Sequence, residues 1–382
     1  MKKIIRYSIM FSITFLVLFS HIQSGAVNNN IYFLKSDHMS VSSYFLSSNE
    51  SIQQKINNAN EYDIVFIPDG IYTEHITIDK PLTLIGEKKT IIDGLYRGRI
   101  LEIHSDNVII KNMQFCNTGG ENDDSGVYVD GDNISLQNCV FYQSRIGINL
   151  QKTSSVDIIS CFFFKLGTAI AIHDSNQIQL MNCSVAHSAI GIFLKNSSSI
   201  ISDQSKLDTN GISIYVLKSH HVDIMNNSVK DNSDNHGGIF IDQSSSINIV
   251  NSSINHNGIG INIENSRHVL LQDCHIINNT HFGILLREES KEILIRDCTI
   301  NNNFRYGIYC NKKSKAIIIK NNLENNFLYA LFSVKPVHTL KHNWWGFSSG
   351  PSISPMNRQN RISLNNYILH YNYHKLIKII IL

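Results

Sequence analysis

The chain has 382 residues, of which only 17% are charged, and its 33 Lys and Arg nearly balance its 31 Asp and Glu. Its apolar content, 42%, is too high for a disordered chain, and its polar part is dominated by Asn and Ser rather than by charge. A near-neutral balance gives no electrostatic case for a nucleic-acid partner, and none is expected.

At the N-terminus Lys2, Lys3 and Arg6 precede an apolar run from Tyr7 to Phe19 and a small-residue site at Ser24 to Ala26. That order predicts a secretory signal peptide over residues 1–26, too short for a confident membrane span, with an uncleaved anchor as the alternative. Cleavage removes three cations and leaves 30 basic against 31 acidic residues. The expected location is therefore outside the cytoplasm: periplasmic, cell-surface or secreted, with no transmembrane segment in the mature chain. Residues 27–50 read as a linker.

From Ser51 a short amphipathic helix is expected, with Ile52, Ile56 and Ala59 on one face, followed by strands and a turn at Pro68-Asp69-Gly70. An open solenoid end exposes apolar interior and strand edges, so this helix is a candidate cap.

A repeat organises the rest. Gly126, Gly147, Ala169, Gly191, Gly211, Gly238, Gly260, Gly283, Gly307 and Ala330 follow one another at steps of 21, 22, 22, 20, 27, 22, 23, 24 and 23. A period near 22 means a solenoid. Apolar residues alternate inside each unit, which is strand and not helix periodicity. In the Gly260 unit the expected inward residues are Ile261, Ile263, Val269, Leu271, Cys274 and Ile276; in the Gly147 unit they are Ile148, Leu150, Val156, Ile158, Cys161 and Phe163. Three short strands per unit, with Ser, Asn and Gly corners, predict an all-β, single-stranded parallel β-helix of about 22 residues per coil. One domain over residues 51–370 is expected, including terminal caps, followed by a tail over 371–382.

Cys116, Cys139, Cys161 and Cys183 recur at steps of 23, 22 and 22, and Cys274 and Cys298 lie 24 apart. This spacing places them in an interior stack, packed as small hydrophobes and poor as metal ligands. Adjacent coils also bring cysteines near enough for a disulfide in an oxidising compartment. The Asn-rich corners read as structural, with Asn bonding to the backbone of neighbouring coils.

The corner before each Gly-Ile start collects charge. Glu121, Asp123, Asp124, Asp130 and Asp132 cluster there, Arg145 and Lys165 follow, and Asp231, Asp234 and His236 fall in the single enlarged unit. Such carboxylates can hold calcium through hard oxygen ligands, or cut a glycosidic bond as an acid and base pair. On the catalytic reading Asp123, Asp124 and Arg145 act on a uronic-acid glycan, and Lys165, Asp231, Asp234 and His236 bind it. The structural alternative is a set of solvated turns. Near the C-terminus, the pair Trp344 and Trp345 before Gly346 falls where the repeat rhythm stops. It reads as a structural cap over the open end, with sugar stacking as the alternative.

The segment "DIVFIPDGIYTEHITIDKPLTLIGEKKTIIDG", the coil repeats and the closing "HNWWGFSSGPS" together resemble NosD-like, carbohydrate-binding and sugar-hydrolase β-helix proteins of the pectin-lyase-like type. The resemblance spans roughly Ser51 to His370 and implies a right-handed helix. It implies a binding or scaffold role at the cell envelope, with a polysaccharide or cell-surface glycan as ligand. It also implies copper handling alongside an envelope metalloenzyme and its maturation partners, for which His220 and His221 are the candidate imidazole ligands. Polysaccharide lyase or glycoside hydrolase activity, and a surface adhesin, are the other roles it implies. The polygalacturonase signatures NTD, GHG and RIK are absent from the sequence.

Overall fold

A computed structural model describes residues 43–45, 50–233, 236–334, 338–346 and 362–364. The expected signal peptide, most of the linker, Asp234 and the tail lie outside the described residues. No helix of the described residues is long and apolar enough to cross a membrane.

The chain winds into a right-handed parallel β-solenoid of about twelve turns, with about 22 residues per coil. A representative coil has strands Ile146–Gln151, Ser154–Ile159 and Phe162–Phe164. The first belongs to a sheet of 13 strands, here the front sheet, and the other two to a sheet of 22 strands, the back sheet. Among the described strands the pairing between coils is parallel and, apart from a shift between Ile85 and Thr90, in register, so Ile148 lies beside Val127 and Ile170, and Val156 beside Ile134 and Ile178. Like residues therefore stack on like along the axis.

The inward sets expected from alternation are the buried ones. Ile148, Leu150, Val156, Ile158, Cys161 and Phe163 are each no more than 2% exposed, and the corresponding residues of the Gly260 unit no more than 1%. At about 1.5–3 kcal/mol for each large apolar side chain buried, this ladder is the main stabilising element. Phe115, Phe141 and Phe163 stack inside it, with ring centroids 5.3 and 4.9 Å apart.

Corners are sharp because one residue at each adopts left-handed backbone. In the representative coil these are Lys152, Ser160 and Lys165, with a fourth such residue, Ser155, inside the second strand. The next residue at each corner turns inward: Thr153, Cys161 and Leu166 are all buried. At the corner preceding the front sheet, Asn210, Asn232, Asn257, Asn279, Asn303 and Asn326 form a buried ladder. Asn279 Oδ1 accepts from the Asn257 backbone N–H (3.0 Å) and side-chain amide (3.1 Å), while Asn257 Nδ2 also donates to the Val229 carbonyl (3.2 Å). The recurrent glycine has a packing cause: a Cβ on Gly260 would lie 2.5 Å from the Gly283 carbonyl oxygen.

Cys139, Cys161, Cys183, Cys274 and Cys298 share one corner position with Ser205, Asn227, Ser252, Asn321 and Asn343, all buried. Cys116 does not join them despite its spacing. Its register partner is Tyr142, and Met113 takes the corner place beside Cys139, because the step between these two coils, Asn112 to Asn138, is 26 residues and not 23. All seven cysteines are free and buried.

Helix α1 (Ile52–Asn58) lies at the N-terminal end with Ile52 and Ile56 fully buried. Its first turn is held by Glu74, whose carboxylate accepts from the Ile52 and Gln53 N–H groups at 3.0 and 3.2 Å. Beyond it, the strand Ser43–Phe45 pairs in parallel with Ile64–Ile67. At the other end Trp345 is fully buried in the core, whereas Trp344 is 40% exposed and donates from Nε1 to Glu324 at 3.1 Å. The strand Ile362–Leu364 adds a further rung beside Leu331 to Ser333.

Candidate functional site

The outer face of the front sheet gathers side chains that the core does not use. One column, in register, runs Glu102, Tyr128, Asn149, Ala171, Phe193, Tyr215, Phe240, Asn262, Leu285, Tyr309 and Phe332. Alternation puts these residues outward, since their chain neighbours on both sides in Val127–Val129 or Ile148–Leu150 point in.

Its N-terminal end carries a compact polar cluster. The Arg99 guanidinium lies over the Tyr128 ring at 3.7 Å and pairs with Glu102 at 2.9 Å. His104 Nδ1 is 2.8 Å from Asp130, and its Nε2 is 3.6 Å from Glu102. Burial, and then the Asp130 carboxylate, raise the Tyr128 phenol above its ordinary range, against an opposing pull from Arg99. Tyr128 therefore stays a neutral hydroxyl donor at neutral pH.

Further along, aromatic side chains touch in series. His173 meets Phe193 edge-on at 5.4 Å, Phe193 meets Tyr215 at 5.1 Å, Tyr215 stacks on Phe240 at 4.8 Å, and His236 lies 5.2 Å from Phe240. A second group stacks near the C-terminal end, where Phe282, Tyr306 and Tyr329 follow at 5.3 and 5.7 Å, and Phe304 and Phe327 lie face to face at 5.2 Å. Phe304 and Phe327 are 61% and 47% exposed.

The residues singled out by sequence fall in different places. Asp124 accepts from the Glu121 N–H at 2.8 Å, with its carboxylate against Gly119, so it closes its own turn. Asp123 is exposed in the same turn. Arg145 is exposed, and its backbone N–H is bound by Thr118 Oγ1 at 2.9 Å. Lys165 corresponds by register to Gln143 rather than to Arg145, and its ammonium lies 5.3 Å from the Phe164 ring. Asp231 is an exposed left-handed corner residue. Among the described residues of the substrate-binding set, His236 touches the aromatic series, carried there by the enlarged unit. His220 and His221 are exposed neighbours with rings 5.1 Å apart, and the register partners of His220 are Ser198 and Ser245, not further imidazoles. Among the described residues no three His, Cys, Asp or Glu side chains are grouped to hold a metal ion. Burial pushes the Cys183 thiol up to about 12, which disfavours the thiolate that a metal would need there.

Sequence reasoning missed Arg99, Glu102, His104 and Tyr128. The only signal was that "RILEIH" and "GVYVD" keep the strand rhythm with polar or aromatic residues at outward places.

The profile of the right handed beta helix region matches residues 88–219 and 190–343, more than half of the chain. This chain belongs to the right-handed β-helix family. No curated protein matches it. Among solved structures of the same fold, the periplasmic alginate epimerase AlgG aligns at TM-score 0.55 with 14% identity, over 74% of this chain and 76% of that one. The pre-mature gene product 12 of bacteriophage phi29 aligns at TM-score 0.61 with 12% identity. This β-helix covers 83% of its own length there and 54% of the phage chain. At these identities the likeness is one of fold alone.

Proposed function

We propose that this chain is an exported β-helix protein that binds a carbohydrate chain along the outer face of the front sheet. The observation that carries the reading is the Arg99, Glu102, His104, Tyr128 and Asp130 cluster. Through Glu102 and Tyr128 it shares one outward register column with Phe193 and Tyr215 of the aromatic series. Polar anchors beside aromatic surface are what a polyhydroxylated ligand requires.

The cluster also bears on the charge of that ligand. Its single guanidinium is already paired with Glu102, and Asp130 adds a second carboxylate. An anionic uronate entering here meets more negative than positive charge, so a neutral glycan fits better. A second reading, glycoside cleavage, draws on the neutral Tyr128 phenol beside two carboxylates. The copper reading draws on no comparable grouping of side chains.

Calorimetry of the mature chain against neutral and uronic oligosaccharides tests the proposal. Neutral chains should bind more tightly, and Tyr128→Ala should weaken binding about tenfold or more, the order of one lost well-buried contact. Tighter binding of uronic chains, or unchanged affinity in Tyr128→Ala, contradicts it. Product release from the same panel, lost in Tyr128→Phe, would establish the enzyme.

A further inference from the structure

The two adjacent tryptophans meet opposite environments. Trp345 is fully buried in the core, whereas Trp344 is 40% exposed. Trp344 ends an outward column of the back sheet that runs His275, Thr299, Asn322 and Trp344, each paired in parallel with the next. A ring that only covered the solenoid end would gain from full burial, as Trp345 does; Trp344 leaves much of its apolar surface in water.

That exposed ring is nevertheless held in one orientation. Its Nε1–H donates to Glu324 Oε2 at 3.1 Å. Glu324 is itself fixed, since its Oε1 accepts from Asn322 Nδ2 at 3.1 Å and from Asn301 Nδ2 at 3.5 Å. Its backbone N–H donates to Asn322 Oδ1 at 3.3 Å. Holding a side chain still at a wet surface costs entropy and adds little to the fold, but it lowers the cost of binding a ligand there. The same column then turns polar, with the half-buried Thr299 two coils from Trp344 and the exposed His275 three coils away. At the strand spacing these lie about 10 and 14 Å from Trp344 along the axis.

We propose that Trp344 is the stacking platform of a second saccharide site, on the back sheet, that takes a neutral disaccharide or a longer chain running from Trp344 toward His275. The negative face of the indole attracts the partly positive C–H face of a pyranose ring. The unit that follows brings its hydroxyls to Thr299 Oγ1 and the His275 imidazole, groups that both donate and accept. The anchor of the indole is a carboxylate, which repels a uronate stacked on the ring, so the fitting ligand is neutral. Glu324 is a positioning residue, acting on the sugar through the indole. The site is separate from the front sheet and does not rest on the reading given to that face.

Of the two tryptophans in the chain one is buried, so iodide quenching of fluorescence reports on Trp344. The test titrates cellobiose, mannobiose and xylobiose into the protein, with digalacturonate as the charged comparison. A neutral disaccharide should shield the indole from iodide and move its emission to the blue, and digalacturonate should do neither. Trp344→Ala should abolish the response. Because that change also removes packed surface, Glu324→Ala serves as the second variant: it keeps the indole, and should weaken the disaccharide about tenfold by freeing the ring. Tyr128→Ala, which strikes the front sheet, should leave the response as it is. No response to any neutral disaccharide, or undiminished affinity in Glu324→Ala, overturns the site and leaves the front-sheet reading standing. A stronger response to digalacturonate overturns the neutral ligand, and loss of the response in Tyr128→Ala places the sugar on the front sheet alone and overturns the second site.

Discussion

At the residue scale, the same side-chain chemistry is used in opposite ways according to which side of the wall it faces. The inward Asn of the corner ladder is saturated by backbone and by its neighbours, while the outward Asn149 and Asn262 are not. Cysteine shows the inward use most plainly. Its spacing was legible in the sequence and placed Cys139, Cys161, Cys183, Cys274 and Cys298 correctly in the interior. It misled at Cys116, because the step from that coil to the next is 26 residues rather than the 22 of the step that follows. Burial raises Cys183 to about 12 from an ordinary value of 9.0. The native protein at pH 8 should therefore resist a thiol reagent such as iodoacetamide, and the unfolded chain should react at all its cysteines. Rapid labelling of the native chain would show the corner to be open. The sign of the linked pH effect follows. The unfolded thiol loses its proton above about pH 9 and the folded one does not until about 12, so stability is full below pH 9 and falls as pH rises through that window.

At the element scale, the coil is the unit, and no single strand of three to six residues is stable apart from its neighbours. Alternation within each repeat was enough to read the three strands and their inward residues. The left-handed corners were less legible, since Lys, Ser, Asp, Asn, Gln, Thr, His and Glu all occupy them. Their common feature is the backbone, not the side chain. The Phe115, Phe141 and Phe163 stack tests the argument that coil-to-coil contact dominates. Phe141→Ala leaves a cavity between two rings and should cost about 3–5 kcal/mol, measured by urea unfolding. A loss under about 1 kcal/mol would mean that the aromatic stack contributes little beyond ordinary burial.

At the scale of the whole molecule, the fold and the site differ in how they were written in the sequence. The fold is a periodic signal, and summing about ten repeats makes it plain. The candidate site is the departure from that period: a Glu, a Tyr, an Asn or a Phe at an outward place that nothing in the period requires. Charge drew attention to Asp123, Asp124 and Arg145, whose structural roles are a closed turn and an exposed corner. The residues that converge, Arg99, Glu102, His104 and Tyr128, come from two successive segments about 25 residues apart and meet only once the coils are stacked in register. The enlarged unit supplies the one residue, His236, that the sequence had linked to a binding face and that lies against the aromatic series.

The claim that joins these scales is that ligand lies on the outer face of the front sheet. Hydroxyl-radical footprinting of the protein, with and without a saturating neutral oligosaccharide, measures this directly. Protection should appear at Tyr128, Phe193 and Tyr215, while Phe162 and Phe164 on the back sheet keep their reactivity. Protection on the back sheet, or at Trp344, with the front-sheet aromatics unchanged would contradict the account.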